Sequence, residues 1–252
     1  MFKQPLDRFF NALTFYSRIP GPNWVDYSDQ QLNRASGFFP FIGYLVAVWC
    51  FAVYWLCIQW LPNDISIIIS MVAGVLITGA FHEDGFADLC DGFGGGLDAQ
   101  HILNIMKDSR LGTYGVCGLI FILSLKWQAL VGIQSGYLFV ALLIAHSLSR
   151  AWAISLIMVL PYVQIDEHSK AKPIAKQWFK QDMILAWCFA LLPLLFLPWV
   201  YSLVLLFAGA AVFFLTRAWY LRKLNGYTGD ALGASQQIQE LLIYLLLLAL
   251  IG

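Results

Sequence analysis

The chain reads as all-α, a multi-pass transmembrane helical bundle in which residues 1–252 form one integral-membrane domain. Three observations support this. Sixty percent of the residues are apolar and 12% are charged, whereas an ordinary soluble domain has about 45–50% and about 25%. The mean hydropathy is +0.70. The apolar residues fall in runs long enough to cross a bilayer, with the polar residues gathered between them. This excludes a water-soluble globule and equally a disordered chain. The net charge is zero, with 15 basic and 15 acidic residues, so nothing points to nucleic acid. Cys50, Cys57, Cys90, Cys117 and Cys188 are scattered, without metal-ligand or disulfide spacing.

Residues 1–34 are expected to form an amphipathic cytoplasmic segment. Leu6, Phe9, Phe10, Leu13 and Tyr16 recur at helical spacing, as in a helix lying on a membrane surface. Asp7, Arg8 and Arg18 interrupt the apolar run, so it does not read as a signal peptide. Residues 35–63 carry no charge and supply the first span, closed by a turn at Pro62-Asn63-Asp64. Ile65 to His82 returns as the second. Residues 111–165 contain only Lys126 and Arg150 as charges and break at Gly132–Gly136, giving two more helices. Residues 183–216 are again uncharged. As one straight helix they would run about 51 Å against a hydrocarbon core of about 30 Å, so a break near Pro198-Trp199 is expected. Ala231 to Ile251 ends the chain. The count is seven spans, or six if 183–216 does not make two full crossings.

Lys and Arg set the orientation. Lys3, Arg8, Arg18 and Arg34 precede the first span, and Lys107 and Arg110 follow the second. Lys170, Lys172, Lys176 and Lys180 follow the fourth, and Arg217, Arg222 and Lys223 precede the last. The turns at 61–64, 132–136 and 198–201 have none. By the positive-inside rule the N-terminus and the long polar segments are cytoplasmic. Trp60 and Trp199 fall at expected interfaces.

The most informative stretch runs from His82 to Gly96. Asp84, Asp88 and Asp91 are spaced i, i+4, i+7, which puts them within about 60° on a helix. Such a stripe repels itself, and more so beside a membrane. A divalent cation would offset the repulsion, and Mg²⁺ prefers carboxylate oxygens while keeping waters that phosphates can replace. Ions held there can clamp a pyrophosphate during in-line displacement. The plainer alternative is a solvated acidic helix end. The adjoining transmembrane run, and Gly85 and Gly92 as places for close approach, weigh against it. Gly94–Gly96 is expected to end the helix, leaving Asp98 off the stripe.

Two further segments carry anion-binding residue types. In Met106–Gly115, Lys107 and Arg110 suit phosphate oxygens, and Ser109 or Thr113 is a candidate cap for the next helix. In Asn225–Ala234, Thr228, Gly229 and Asp230 read either as an anion-cradling helix start or as a place for Asp230 to join a metal shell. An ordinary cap or turn is the alternative in both. Within the fourth span His146 and Arg150 share a face, and Arg150 needs a partner or a polar cavity. It would hold substrate phosphate or neutralise the aspartates. Lys126 is expected to find a structural partner or to snorkel.

These residues resemble the cobalamin synthase family, the membrane adenosylcobinamide-GDP ribazoletransferases. The resemblance runs through Ser17–Pro22 and Phe39–Gly43, and is strongest at Phe81–Gly92, which is similar to the family's His-x-Asp-Gly-x-Ala-Asp-x-x-Asp-Gly pattern. Met106–Gly112 (MKDSRLG) and Thr228–Gly233 (TGDALG) match two further signatures in order. Glu83 departs from the pattern, which more often has Leu there, and its helical angle keeps it off the stripe. The resemblance implies a Mg²⁺-dependent enzyme of the inner membrane with its active site on the cytoplasmic face. Its substrates would be adenosylcobinamide-GDP and α-ribazole or α-ribazole 5′-phosphate, and its products adenosylcobalamin or its 5′-phosphate and GMP. Association with other nucleotide-loop assembly enzymes is a further expectation. On this reading Asp84, Asp88 and Asp91 are the catalytic and metal-binding residues, with Asp91 the candidate base. The substrate-binding candidates are His82, Lys107, Asp108, Ser109, Arg110, Arg150, Thr228, Gly229 and Asp230. A CDP-alcohol phosphotransferase-like enzyme and a cation-coupled transporter are the rival readings.

Overall fold

The computed structural model describes residues 3–163 and 178–252; Lys170, Lys172 and Lys176 lie outside the described residues. Eleven α-helices follow one another among the described residues: α1 (Lys3–Tyr16), α2 (Asp29–Arg34), α3 (Phe39–Cys57), α4 (Asn63–Thr78), α5 (Phe81–Gly95), α6 (Ala99–Met106), α7 (Thr113–Gly132), α8 (Leu138–Ser155), α9 (Lys180–Leu191), α10 (Trp199–Leu224) and α11 (Gly229–Ile251). Among the described residues there is no strand, and a single bridge joins Tyr162 to Tyr227.

Local chemistry explains the boundaries. Pro62 stands at the N-cap of α4 in an extended conformation, and the Tyr54 hydroxyl donates to Asn63 Oδ1 across that turn (3.0 Å). The expected break after Gly132 is present, with α8 starting at Leu138. The Ile65–His82 run is not one straight helix. Gly79 (φ 71°) and Ala80 (φ 59°) are both left-handed, and α5 leaves α4 at 89°. The acidic helix therefore lies across the direction of α4 instead of extending it. Gly94–Gly96 does end α5, whose last helical residue is Gly95. Asp98 becomes the N-cap of α6, accepting from the His101 N–H (2.8 Å).

Five helical stretches are long and apolar enough to cross a membrane: residues 30–57, α7, residues 135–158, α10 and α11. Taken as one broken span, the bent α4–α5 pair would be a sixth; as a re-entrant loop it would not. The break at Pro198 occurs as expected, but the segment before it yields no seventh span. Its helix, α9, has 12 residues and gives way to a 3₁₀ turn with Pro193 near its start. The stretch is not among those long and apolar enough to cross a membrane. Five candidate spans, or six counting the bent pair as one, rather than seven, lie among the described residues.

α8 is the axis of the bundle, packed against α3, α9 and α11. α1 does not lie free on a surface. Its Ala12, Leu13 and Tyr16 are buried in the same core as Phe39 and Ile42 of α3. Arg34 grips Asp182 of α9 through two nitrogens (2.9 and 3.2 Å), and Arg8 adds a longer contact of 3.7 Å. The exposed surface includes Trp60, Trp199, Phe207 and Leu215, which suits lipid contact.

Candidate active site

The site is assembled where the first turn of α11 rests on α5. Thr228 caps α11, its Oγ1 accepting from the Ala231 N–H (3.1 Å). The next helix turn sits so close to α5 that a Cβ on Gly85 would lie 2.8 Å from both Cα and O of Asp230. Only a glycine admits that approach. It brings Asp230 to the stripe: the charges acting on Asp88 are those of Asp230, Asp84 and Asp91, and Asp84 also acts on Asp230. Four carboxylates from two helices thus share one local field.

Asp91 has a second task. Its Oδ2 accepts from the Gly112 N–H (2.7 Å) and its Oδ1 from the Gly115 N–H (2.8 Å). It caps the N-terminus of α7 across the chain, in the place expected for Ser109 or Thr113. A side chain at Gly112 would collide with this carboxylate. Both oxygens of Asp91 are thus engaged by backbone N–H groups at the start of a helix.

The cap also ties the preceding loop to α5. Lys107 terminates α6. Arg110, with its side chain 88% exposed, forks onto Asp108 through Nε (3.0 Å to each oxygen) and Nη2 (2.5 Å). Those hydrogen bonds hold the Asp108 carboxyl down to about 2. Ser109 is exposed beside them. Nothing lies within 4 Å of a Cβ built on Gly229, so the start of α11 is open on that side.

His82 and Arg150 are not brought to the aspartates. His82 is buried (2% exposed) and stacks on Phe39 at 5.6 Å. Arg150 is 1% exposed, lies over the same ring at 5.2 Å, and donates from Nη1 to the His146 carbonyl (2.7 Å). The carboxylates acting on Arg150 are Glu240 and Glu83. Lys126 finds its partners on α11, with Glu240 Oε1 at 2.9 Å and Gln237 Oε1 beside it. Glu240, Gln236 and Gln237 were not singled out from the sequence, although polar residues inside an apolar run are a readable signal.

Among the described residues, no group of three or more His, Cys, Asp or Glu side chains is placed to hold a metal ion. Carboxylates are the donor type that suits Mg²⁺, which takes one or two of them and completes its shell with waters and substrate phosphate.

Fold and site together define a helical membrane protein organised around a carboxylate cluster at one end of its bundle. The sequence matches the model of the cobalamin-5-phosphate synthase family over residues 8–248, and the chain belongs to that family. It is similar to the adenosylcobinamide-GDP ribazoletransferase of Shewanella oneidensis, 44% identical over 98% of this chain and 95% of the relative. The protein of the same name from Shewanella frigidimarina is 46% identical over 97% and 95%. That from Vibrio cholerae is 44% identical over 97% and 94%. No solved structure matches the chain significantly.

Proposed function

We propose that this protein transfers the adenosylcobinamide-phosphate group from adenosylcobinamide-GDP to α-ribazole or α-ribazole 5′-phosphate. The products are adenosylcobalamin, or its 5′-phosphate, and GMP. The observation that carries the reading is the seating of the Asp230 backbone on Gly85 of α5, the helix that bears Asp84 and Asp88, in a chain of this family. A ribose hydroxyl of the ribazole attacks the phosphorus bonded to cobinamide. The new P–O bond forms as the bond to the GMP phosphate breaks. Asp88, central among the carboxylates, takes the hydroxyl proton, in place of the hydrogen-bonded Asp91. Asp84 and Asp230 are the side chains that would hold Mg²⁺, with Asp88 adjoining. Held there, Mg²⁺ would supply charge neutralisation at the pyrophosphate. Lys107 and Arg110, on the loop anchored by Asp91, supply further positive charge for phosphate oxygens, and the open start of α11 offers backbone N–H groups.

The site faces the cytoplasm of the inner membrane on this reading. The starts of α3, α7 and α11 and the ends of α8 and α10 share its end of the bundle, and Arg34, Lys107, Arg110, Arg222 and Lys223 flank those termini. The test is purified protein in lipid supplied with adenosylcobinamide-GDP, ribazole phosphate and Mg²⁺. A product at the mass of the joined corrinoid, lost with EDTA and with Asp84→Asn, is expected. No such product, with CMP released from a cytidine-linked alcohol instead, would overturn the proposal.

A further inference from the structure

Behind α5, on the side away from the aspartates, lies a cavity of about 50 Å³ between α3, α4, α5, α7, α8 and α11. Its position is among apolar helices, yet two cations and two carboxylates line it: Lys126, Arg150, Glu83 and Glu240. Glu240 is fully engaged, by Lys126 on one oxygen and by Gln236 and His146 on the other. Glu83 is half engaged. Its Oε1 accepts from Gln237 Nε2 (3.0 Å), while its Oε2 has no partner within the protein. Arg150 Nε and His82 Nε2 also lack one. Three unpartnered polar atoms, on three residues, therefore border one cavity.

Charge counting identifies what can serve them. With the lining imidazoles of His82 and His146 neutral, the two cations balance the two carboxylates, so a bound ion of either sign would leave one charge unpaired in a low-dielectric interior, where that is costly. Water adds no charge, offers both donors and acceptors, and needs about 10–15 Å³ of such a cavity per molecule. Glu83 thus has the role its neighbours on the stripe cannot fill. We propose that Glu83 is a positioning residue for the reaction: it completes a charge-neutral, water-bridged cluster behind α5 and, through Gln237, fixes the register of α5 on α11 that gathers Asp84, Asp88 and Asp230. The proposal rests on those aspartates being the reactive site.

The test uses the whole protein in lipid nanodiscs as wild type, Glu83→Gln, Gln237→Glu and the double variant. Glu83→Gln keeps an acceptor for Gln237 and removes the charge. Without substrate and in EDTA, it is expected to lower the unfolding temperature by about 5 °C. With substrates, kcat is expected to fall about tenfold with KM within about twofold, because a shifted register misplaces reacting groups without removing a contact to substrate. Adding Gln237→Glu moves the lost charge across the same α5–α11 contact and leaves Lys126 on Glu240; it is expected to return both values toward wild type, although Gln237→Glu alone, an extra carboxylate, destabilises. Additive losses in the double variant, or a kcat unchanged by Glu83→Gln, would overturn the proposal. If Glu83→Gln does not fold, recovery of folding and turnover in the double variant supports it, and failure of the double variant to recover overturns it. If the wild type forms no product, the functional reading fails, while the unfolding temperatures still judge the cluster.

Discussion

Replacing Gly85 with alanine probes the contact that builds the site. The added methyl would stand 2.8 Å from the Cα and carbonyl oxygen of Asp230, about 0.6 Å inside the 3.4 Å at which ordinary contact begins. Backbone on both sides of this contact belongs to helices, so relief requires α11 to slide or lift from α5. Overpacking of this kind costs about 1–3 kcal/mol, and alanine's better helix propensity returns about 0.5–1 kcal/mol. The net loss of stability is therefore modest, about 0–2.5 kcal/mol. The catalytic loss is larger, because a misplacement near 1 Å costs about 100-fold in rate, and a shift of about half that size costs about tenfold. Thermal unfolding in nanodiscs and the rate of GMP release at saturating substrates measure the two separately. A Gly85→Ala protein with the wild-type rate would refute the claim that close α5–α11 packing sets the positions of the aspartates.

Asp91→Ala strips two N–H groups at the start of α7 of their acceptor. The cost is about 2–4 kcal/mol of stability, seen in denaturation of metal-free protein, whereas Asp84→Ala should lose activity with little change in that measurement. Asp182→Ala leaves Arg34 and Arg8 without their carboxylate. It should destabilise the docking of α1 and α2 by about 1.5–3 kcal/mol, read as faster proteolysis of the first 34 residues. Arg110→Ala should leave the unfolding temperature unchanged, since the side chain is in solvent, while raising KM for adenosylcobinamide-GDP. The Asp108 carboxyl is held down to about 2, a depressed value, so the fork is intact above the ordinary carboxylate range and is lost only as pH falls through about 2. Activity measured from pH 5 to 9 should therefore show no step attributable to this pair.

The apolar runs and their turns were legible because charge-free length and Gly or Pro punctuation are local properties. The breaks at Gly132–Gly136 and Pro198 are of this kind. The bend at Gly79-Ala80 was not, because apolar residues continue through it and Ala80 gives no hint of a left-handed backbone. The short α9 was misjudged for a related reason: an uncharged segment need not be one helix, and Pro193 divides this one. The i, i+4, i+7 spacing announced the carboxylate stripe. The cap that Asp91 provides was hidden because its partners lie 21 and 24 residues away, and the partners of Arg150 were hidden because they come from α5 and α11. Glu83 was rightly kept off the stripe by helical angle, but the cations it faces are a product of tertiary packing.

The most direct measurement of the shared carboxylate site is the Mg²⁺ concentration giving half-maximal GMP release, compared between wild type and Asp230→Asn. Loss of one of the clustered charges should raise that concentration about tenfold, equivalent to about 1.4 kcal/mol, with a smaller change in KM for the corrinoid substrate. Full activity of the wild type in EDTA, or the same Mg²⁺ midpoint in both proteins, would contradict it.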